Sequence, residues 1–170
     1  MITKENIMEN SIFLNKLKLH FYASFSMMEK IIEICPNELW NRKVSGFIFW
    51  KQILHTIRWG IFWLRGENIE FIERFDEKNG CPAELEKDPE KILSKDEIKG
   101  CCHELKEMVE KWFTNKDDNW LKLPCWGNNK ITNFDVLINQ IKHFDYHIGY
   151  CESIFRDHNI APGKYMEYLG

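Results

Sequence analysis

The sequence predicts an all-α fold: a four-helix bundle with a long crossover between helices 2 and 3, in a single domain over residues 1–170. Two observations predict it. Four segments place apolar residues at three- and four-residue steps, the spacing of one helix face, and strand alternation is scarce. The connector after the second segment, from Gly66 to Leu93, is far longer than the roughly 2–8 residues that join neighbouring antiparallel helices. Such a connector suits a crossover that leaves helices 2 and 3 parallel. A chain of this size buries roughly 68–70% of its unfolded surface, enough for one core without staples.

Helix 1 is expected over about 5–34. Leu14, Leu17, Phe21, Phe25, Met28 and Ile32 form its stripe, and Pro36 ends it, because the residue before proline disfavours helical backbone. Helix 2 is expected over about 46–64, with Ser45 as its N-cap. It carries one apolar stripe of Phe49, Ile53, Ile57, Ile61 and Leu64, and a second of Ile48, His55, Trp59 and Phe62. Lys51 and Arg58 alone mark a polar edge. A helix apolar nearly all round is buried on both sides, which suggests contact with a partner chain. Helix 3 is expected over about 95–113, opened by Ser94 and Glu97 in the spacing of a capping box. Ile98, Cys102, Leu105, Val109 and Trp112 form its stripe. Helix 4 is expected over about 133–158, with Thr132 and Asp135 as a looser capping pair. Its main stripe is Phe134, Leu137, Ile141, Ile148 and Phe155, and Asn159 with Pro162-Gly163 ends it. In the connectors, Ile69, Phe71, Ile72 and Phe75 hint at a short extra helix, and the Gly-Asn-Asn after Trp126 suits a small hairpin.

Composition narrows the function. A formal charge of −3 carries no basic excess for tracking phosphates, so nucleic acid is not an expected partner. The most apolar stretch, Phe47–Leu64, is broken by Lys51, Gln52, His55 and Arg58, which argues against a spanning helix. The start MITKENIMEN lacks the pattern of a signal peptide. Six cysteines without a C-x-x-C pair favour neither a zinc ribbon nor a disulfide framework. The expectation is a cytoplasmic protein with reduced thiols and no membrane association.

The chemistry lies with histidine. His143 and His147, in "HFDYHIGY", stand one helical turn apart, offset by about 40° and about 6 Å, so both rings can reach one ion. Phe144 occupies the place of the Glu base in the H-E-x-x-H of zinc proteases. The pair shares a semi-apolar stripe with Val136, Gln140 and Ile154, which places it at a groove. His55, on the second stripe of helix 2, lies mid-helix like the pair, and mid-helix positions meet at one level whichever way the helices run. Three histidines can therefore converge. His20, His103 and His158 fit less well and read as surface residues, His158 complementing a helix C-terminus.

One mid-helix His in "WKQILHTIRWGIFWL", followed about ninety residues later by "QIKHFDYHIGYCESIFRDHNIAPGKY" with its H-x-G after the pair, resembles the DinB superfamily of DinB/YfiT-like metalloenzymes. The likeness covers nearly the whole chain. It implies a four-helix bundle with a crossover, a homodimer, and a divalent ion, zinc or nickel, held by His55, His143 and His147. It also implies a low-molecular-weight thiol such as mycothiol or bacillithiol, used in isomerisation or S-transfer for stress or detoxification.

Three neutral imidazoles leave positions open on zinc, the mark of a catalytic site. The leading expectation is a bound thiol, activated as thiolate, attacking a small-molecule electrophile in a groove lined by Trp59, Phe62 and Tyr150. Gln52 and Gln140, each about one turn from a ligand, are candidates to hold the histidine rings. The alternatives are a metal-hydroxide-dependent hydrolase and a non-enzymatic metal-binding stress or interaction protein. The hydrolase lacks a helical carboxylate beside the triad, so a loop residue such as Asp117 or Asp118 would have to approach it.

Overall fold

The structure, a computed structural model, describes residues 11–44, 46–66, 69–82, 84–126 and 128–164, without the side chains of 128 and 129. Four long helices dominate it: α1 (Ile12–Ile34), α3 (Phe49–Leu64), α4 (Lys95–Phe113) and α6 (Asn133–Asp157). Two single-turn helices, α2 (Asn37–Trp40) and α5 (Asp118–Leu121), accompany them. So do two small antiparallel hairpins, β1 (Lys43–Val44) with β2 (Phe47–Ile48) and β3 (Pro124–Cys125) with β4 (Asn128–Thr132).

Each long helix packs on two others: α1 on α6 and α4, α3 on α6 and α4. Contacts at the two ends give the directions. At one end, Asp118 of α5 accepts from the backbone N–H groups of Phe13 and Leu14 at the start of α1. Asn133, at the start of α6, donates to Leu123 and Trp120 carbonyls. At the other end, Lys95 opens α4 beside the Cys35 carbonyl, Trp40 donates to Leu93 O at 2.7 Å, and Phe49 stacks on Phe155. Helices α1 and α6 thus run one way and α3 and α4 the other, joined by the crossover of residues 65–94.

The helix starts follow local chemistry. Both capping boxes form, Ser94 with Glu97 on α4 and Thr132 with Asp135 on α6, each satisfying donors that a helix N-terminus leaves orphaned. Helix α1 lacks a side-chain cap of its own and borrows the Asp118 carboxylate instead. Helix α3 begins at Phe49, later than the expected 46, because Phe47 and Ile48 pair with Val44 and Lys43 in a hairpin turned at Gly46 (φ 94°). The expected cap Ser45 and the first residues expected in helix 1 lie outside the described residues.

The core joins Leu14, Phe21, Phe25, Met28 and Ile32 of α1 to Phe49, Ile53, Ile57 and Leu64 of α3. Ile98, Leu105 and Val109 of α4 and Leu137, Phe144, Ile148 and Phe155 of α6 complete it. Gly60 lets three helices close in, since a Cβ there would meet Leu105 Cδ2 at 2.9 Å and Phe144 Cε2 at 3.4 Å.

Three expectations are corrected. Lys51 and Arg58 are buried, not a polar edge. The crossover covers them: Lys51 Nζ donates to Glu84 and Lys87 carbonyls, and Arg58 pairs with Glu73 and donates to Cys81 O. Among its described residues the crossover forms no helix at 69–75, only a 3₁₀ turn at Glu77–Asn79, and Ile69 and Ile72 are exposed. Phe134 is exposed rather than in the α6 stripe, since it sits in the first turn, at the bundle's rim.

Candidate metal centre

Helices α3 and α6 run antiparallel past each other, and their central turns bring His55, His143 and His147 together. One nitrogen from each ring lies within 4.8 Å of the others. The ring centroids are 5.4 Å (His55–His143), 5.0 Å (His55–His147) and 4.7 Å (His143–His147) apart. His147 is buried and the other two are half-buried.

The ring orientations are specific. His147 Nδ1 lies 2.7 Å from Gln52 Oε1, and an amide oxygen only accepts, so Nδ1 carries the proton. The Nε2 lone pair of the neutral ring then points at the cluster. His147 Nε2 and His143 Nε2 are 3.1 Å apart. Two nitrogens bound tetrahedrally to one zinc at about 2.0–2.1 Å would lie about 3.3 Å apart, so the pair already has close to the spacing a shared ion needs. Burial and the neighbouring histidines push His143 down to about 4 and His147 down to about 3. Both rings are therefore neutral at pH 7, the form that ligates metal. An all-imidazole donor set suits zinc, nickel, copper or iron. This three-histidine group could hold a divalent ion.

Two cavities border the cluster. One of 490 Å³ is lined by Trp59, Trp63, Asn139, Gln140, Lys142, His143 and Tyr146, within the size range of small-molecule sites. The other, of 210 Å³, is lined by His55, Arg58, Trp59, Phe62, Phe71 and Glu73. Trp59 borders both.

Of the residues expected around the histidines, Gln52 holds His147, and Trp59 and Phe62 line cavities. Gln140 is buried and lines the larger cavity, but it bonds to none of the rings. Tyr150 is a correction. Its hydroxyl donates to Val44 O at 3.1 Å and its ring packs on Phe47, so it braces the first hairpin instead of lining the groove. Asp117 and Asp118 cap α5 and α1 respectively, and neither approaches the triad. Asp145 accepts from Ser24 at 2.6 Å, on the α1 side of α6. His20 and His103 are exposed, whereas His158 is half-buried and bonds to Ile154 O through Nδ1.

Sequence reasoning missed Trp63, Tyr146, Glu73 and Lys142. Trp63 follows Trp59 by four residues and Tyr146 follows His143 by three, so helical spacing could have found both. Glu73 lies in the crossover, where no periodicity places it. Comparison with protein-family models, with curated proteins and with solved structures finds no match.

Proposed function

We propose that the chain is a divalent-metal-dependent enzyme that activates a low-molecular-weight thiol for S-transfer or isomerisation, as its resemblance to the DinB superfamily implies. The observation that carries this reading is the convergence of three histidines from two helices beside a cavity, with the His143 and His147 rings neutral. A zinc or nickel ion with three protein ligands supplies an open position, where a thiol loses its proton at neutral pH.

The chain's own residues do the rest. Gln52 fixes the His147 tautomer, and burial keeps His143 and His147 unprotonated and ready to ligate. Trp59 and Phe62 wall the approach and limit water. In the transfer, a sulfur–carbon bond forms as the electrophile's bond to its leaving group breaks, and the thiol proton passes to solvent. Hydrolysis would call for a general base, and the carboxylate that lines the His55 cavity, Glu73, is held by Arg58. That engagement favours thiol chemistry over attack by water. The resemblance also brings a homodimer into the proposal, which solution mass measures directly.

The test is consumption of an alkylating electrophile by zinc- or nickel-loaded protein, with and without bacillithiol or mycothiol. Turnover only with thiol is the expected result. Turnover with water alone would replace the reading by the hydrolase, and no turnover in a metal-loaded chain would leave a metal-binding protein without catalysis.

A further inference from the structure

His143 lines one wall of the larger cavity; the other wall holds groups that neither the fold nor the triad uses. Gln140 is 2% exposed, and its Oε1 is fully buried with no hydrogen-bond partner among the described residues. An unpaired buried amide oxygen carries a desolvation cost that the native structure does not recover. Gln140 lines the cavity beside His143 and also a second one of 360 Å³ further along α6, and Trp63, Asn139 and Lys142 line both. The two form one groove from the triad toward the β3–β4 hairpin. Among the described residues its one acid is Asp135, which stays anionic and accepts from the Thr132 N–H and hydroxyl at 2.9 and 2.6 Å. Lys142 makes no ion pair among the described residues, so it is an uncommitted cation at the groove wall.

We infer that this groove binds the tail of an elongated small molecule that carries an amide N–H and a carboxylate. With the Gln140 amide turned out into the groove it lines, the ligand's amide N–H donates to Oε1 while the chain lies against the Trp63 indole, and the carboxylate meets Lys142. Gln140 is then a positioning and specificity residue, and the reacting end of the ligand lies at the histidines. Only the role of that reacting end rests on the proposed metal chemistry; the groove itself does not.

N-acetylglycine, which has the amide and the carboxylate but no thiol, isolates the groove. Titrated into the full chain with and without zinc and followed by NMR, it is expected to shift the Gln140 side-chain amide and the Trp63 indole N–H saturably in both samples. Gln140→Leu should weaken that binding about tenfold, the worth of one buried hydrogen bond, and Lys142→Met by about threefold. Propionate, which lacks the amide, should bind Gln140→Leu and the parent chain alike. Because the amide is unpaired in the free protein, Gln140→Leu should also keep or raise the melting temperature. Absence of saturable binding, equal N-acetylglycine affinity in Gln140→Leu, or a lowered melting temperature in that variant would overturn the inference. Since the metal-free sample is read alongside, failure of the groove and failure of the metal centre give different results.

Discussion

Helix α6 has two inner faces, and they are built on opposite terms. Toward α1 it presents Phe144, fully buried with its ring 5.6 Å from Phe21 and 6.2 Å from Phe25. Toward α3 it presents buried Gln140 and His147 and half-buried His143, a seam of polar rings and amides largely taken out of water. Aromatic packing on the first face returns free energy for every contact made. On the second face, His147 Nδ1 meets Gln52 and the two Nε2 atoms of His143 and His147 meet each other, while among the described residues His143 Nδ1 and Gln140 Oε1 have no partner. A fold selected only for stability would fill that seam with apolar side chains, because unsatisfied buried polar groups are costly. One face supplies stability and the other spends some of it on a site.

The largest effect that would break this contrast is on stability. Phe144→Ala should cost about 3–5 kcal/mol, seen as a loss of about 10 °C in melting temperature. Metal affinity should stay near the parent value wherever the variant is folded. A mild loss would mean that the dry face is not the one holding the bundle. The reverse pattern is expected of His55→Ala. Metal affinity measured by chelator competition should fall by more than about 100-fold, beyond what the loss of a supporting partner costs, with little change in the stability of the metal-free chain. Unchanged affinity would remove His55 from the centre.

Gln52→Leu sharpens the contrast further. It frees the His147 ring to choose its tautomer, so affinity should drop about 10- to 100-fold while the histidines themselves remain. Equal affinity would make Gln52 a packing residue.

The smallest effect is on pH dependence of the metal-free chain. His143 and His147 titrate at about 4 and about 3 when folded, against about 6.5 when unfolded. In that window the unfolded chain binds more protons. Stability should therefore be full above about pH 6.5 and fall as pH drops through it toward the folded values, by up to about 1.4 kcal/mol per pH unit for each ring. The slope is smaller for half-exposed His143, which solvent screens. Urea denaturation of chelator-treated protein between pH 7 and 4.5 reads this slope. A His143→Ala/His147→Ala chain should be flatter across that range, and an identical slope would contradict the burial of the pair.

Much of this was legible in the sequence, for definite reasons. The four long helices and both capping boxes rest on local periodicity and short-range hydrogen bonds, which a sequence states directly. The two central histidine turns could be matched in level from mid-helix position alone. What could not be read were choices made by tertiary contact. Lys51 and Arg58 look like a solvated edge until the crossover's carbonyls and Glu73 cover them. Asp118 looks like a loop carboxylate until the uncapped start of α1 claims it. Tyr150 follows His147 by three residues and shares the helix, yet the β1–β2 hairpin, invisible in a sequence expected to be helical from 46, draws its hydroxyl away.

The central claim is that His55, His143 and His147 form one open divalent-metal centre. Zinc-edge X-ray absorption of the tag-free, zinc-loaded chain tests it most directly. The account predicts one zinc per chain with about three imidazole nitrogens at about 2.0–2.1 Å and no protein sulfur at about 2.3 Å. A sulfur shell at that distance, or zinc that washes off without a defined shell, would contradict it.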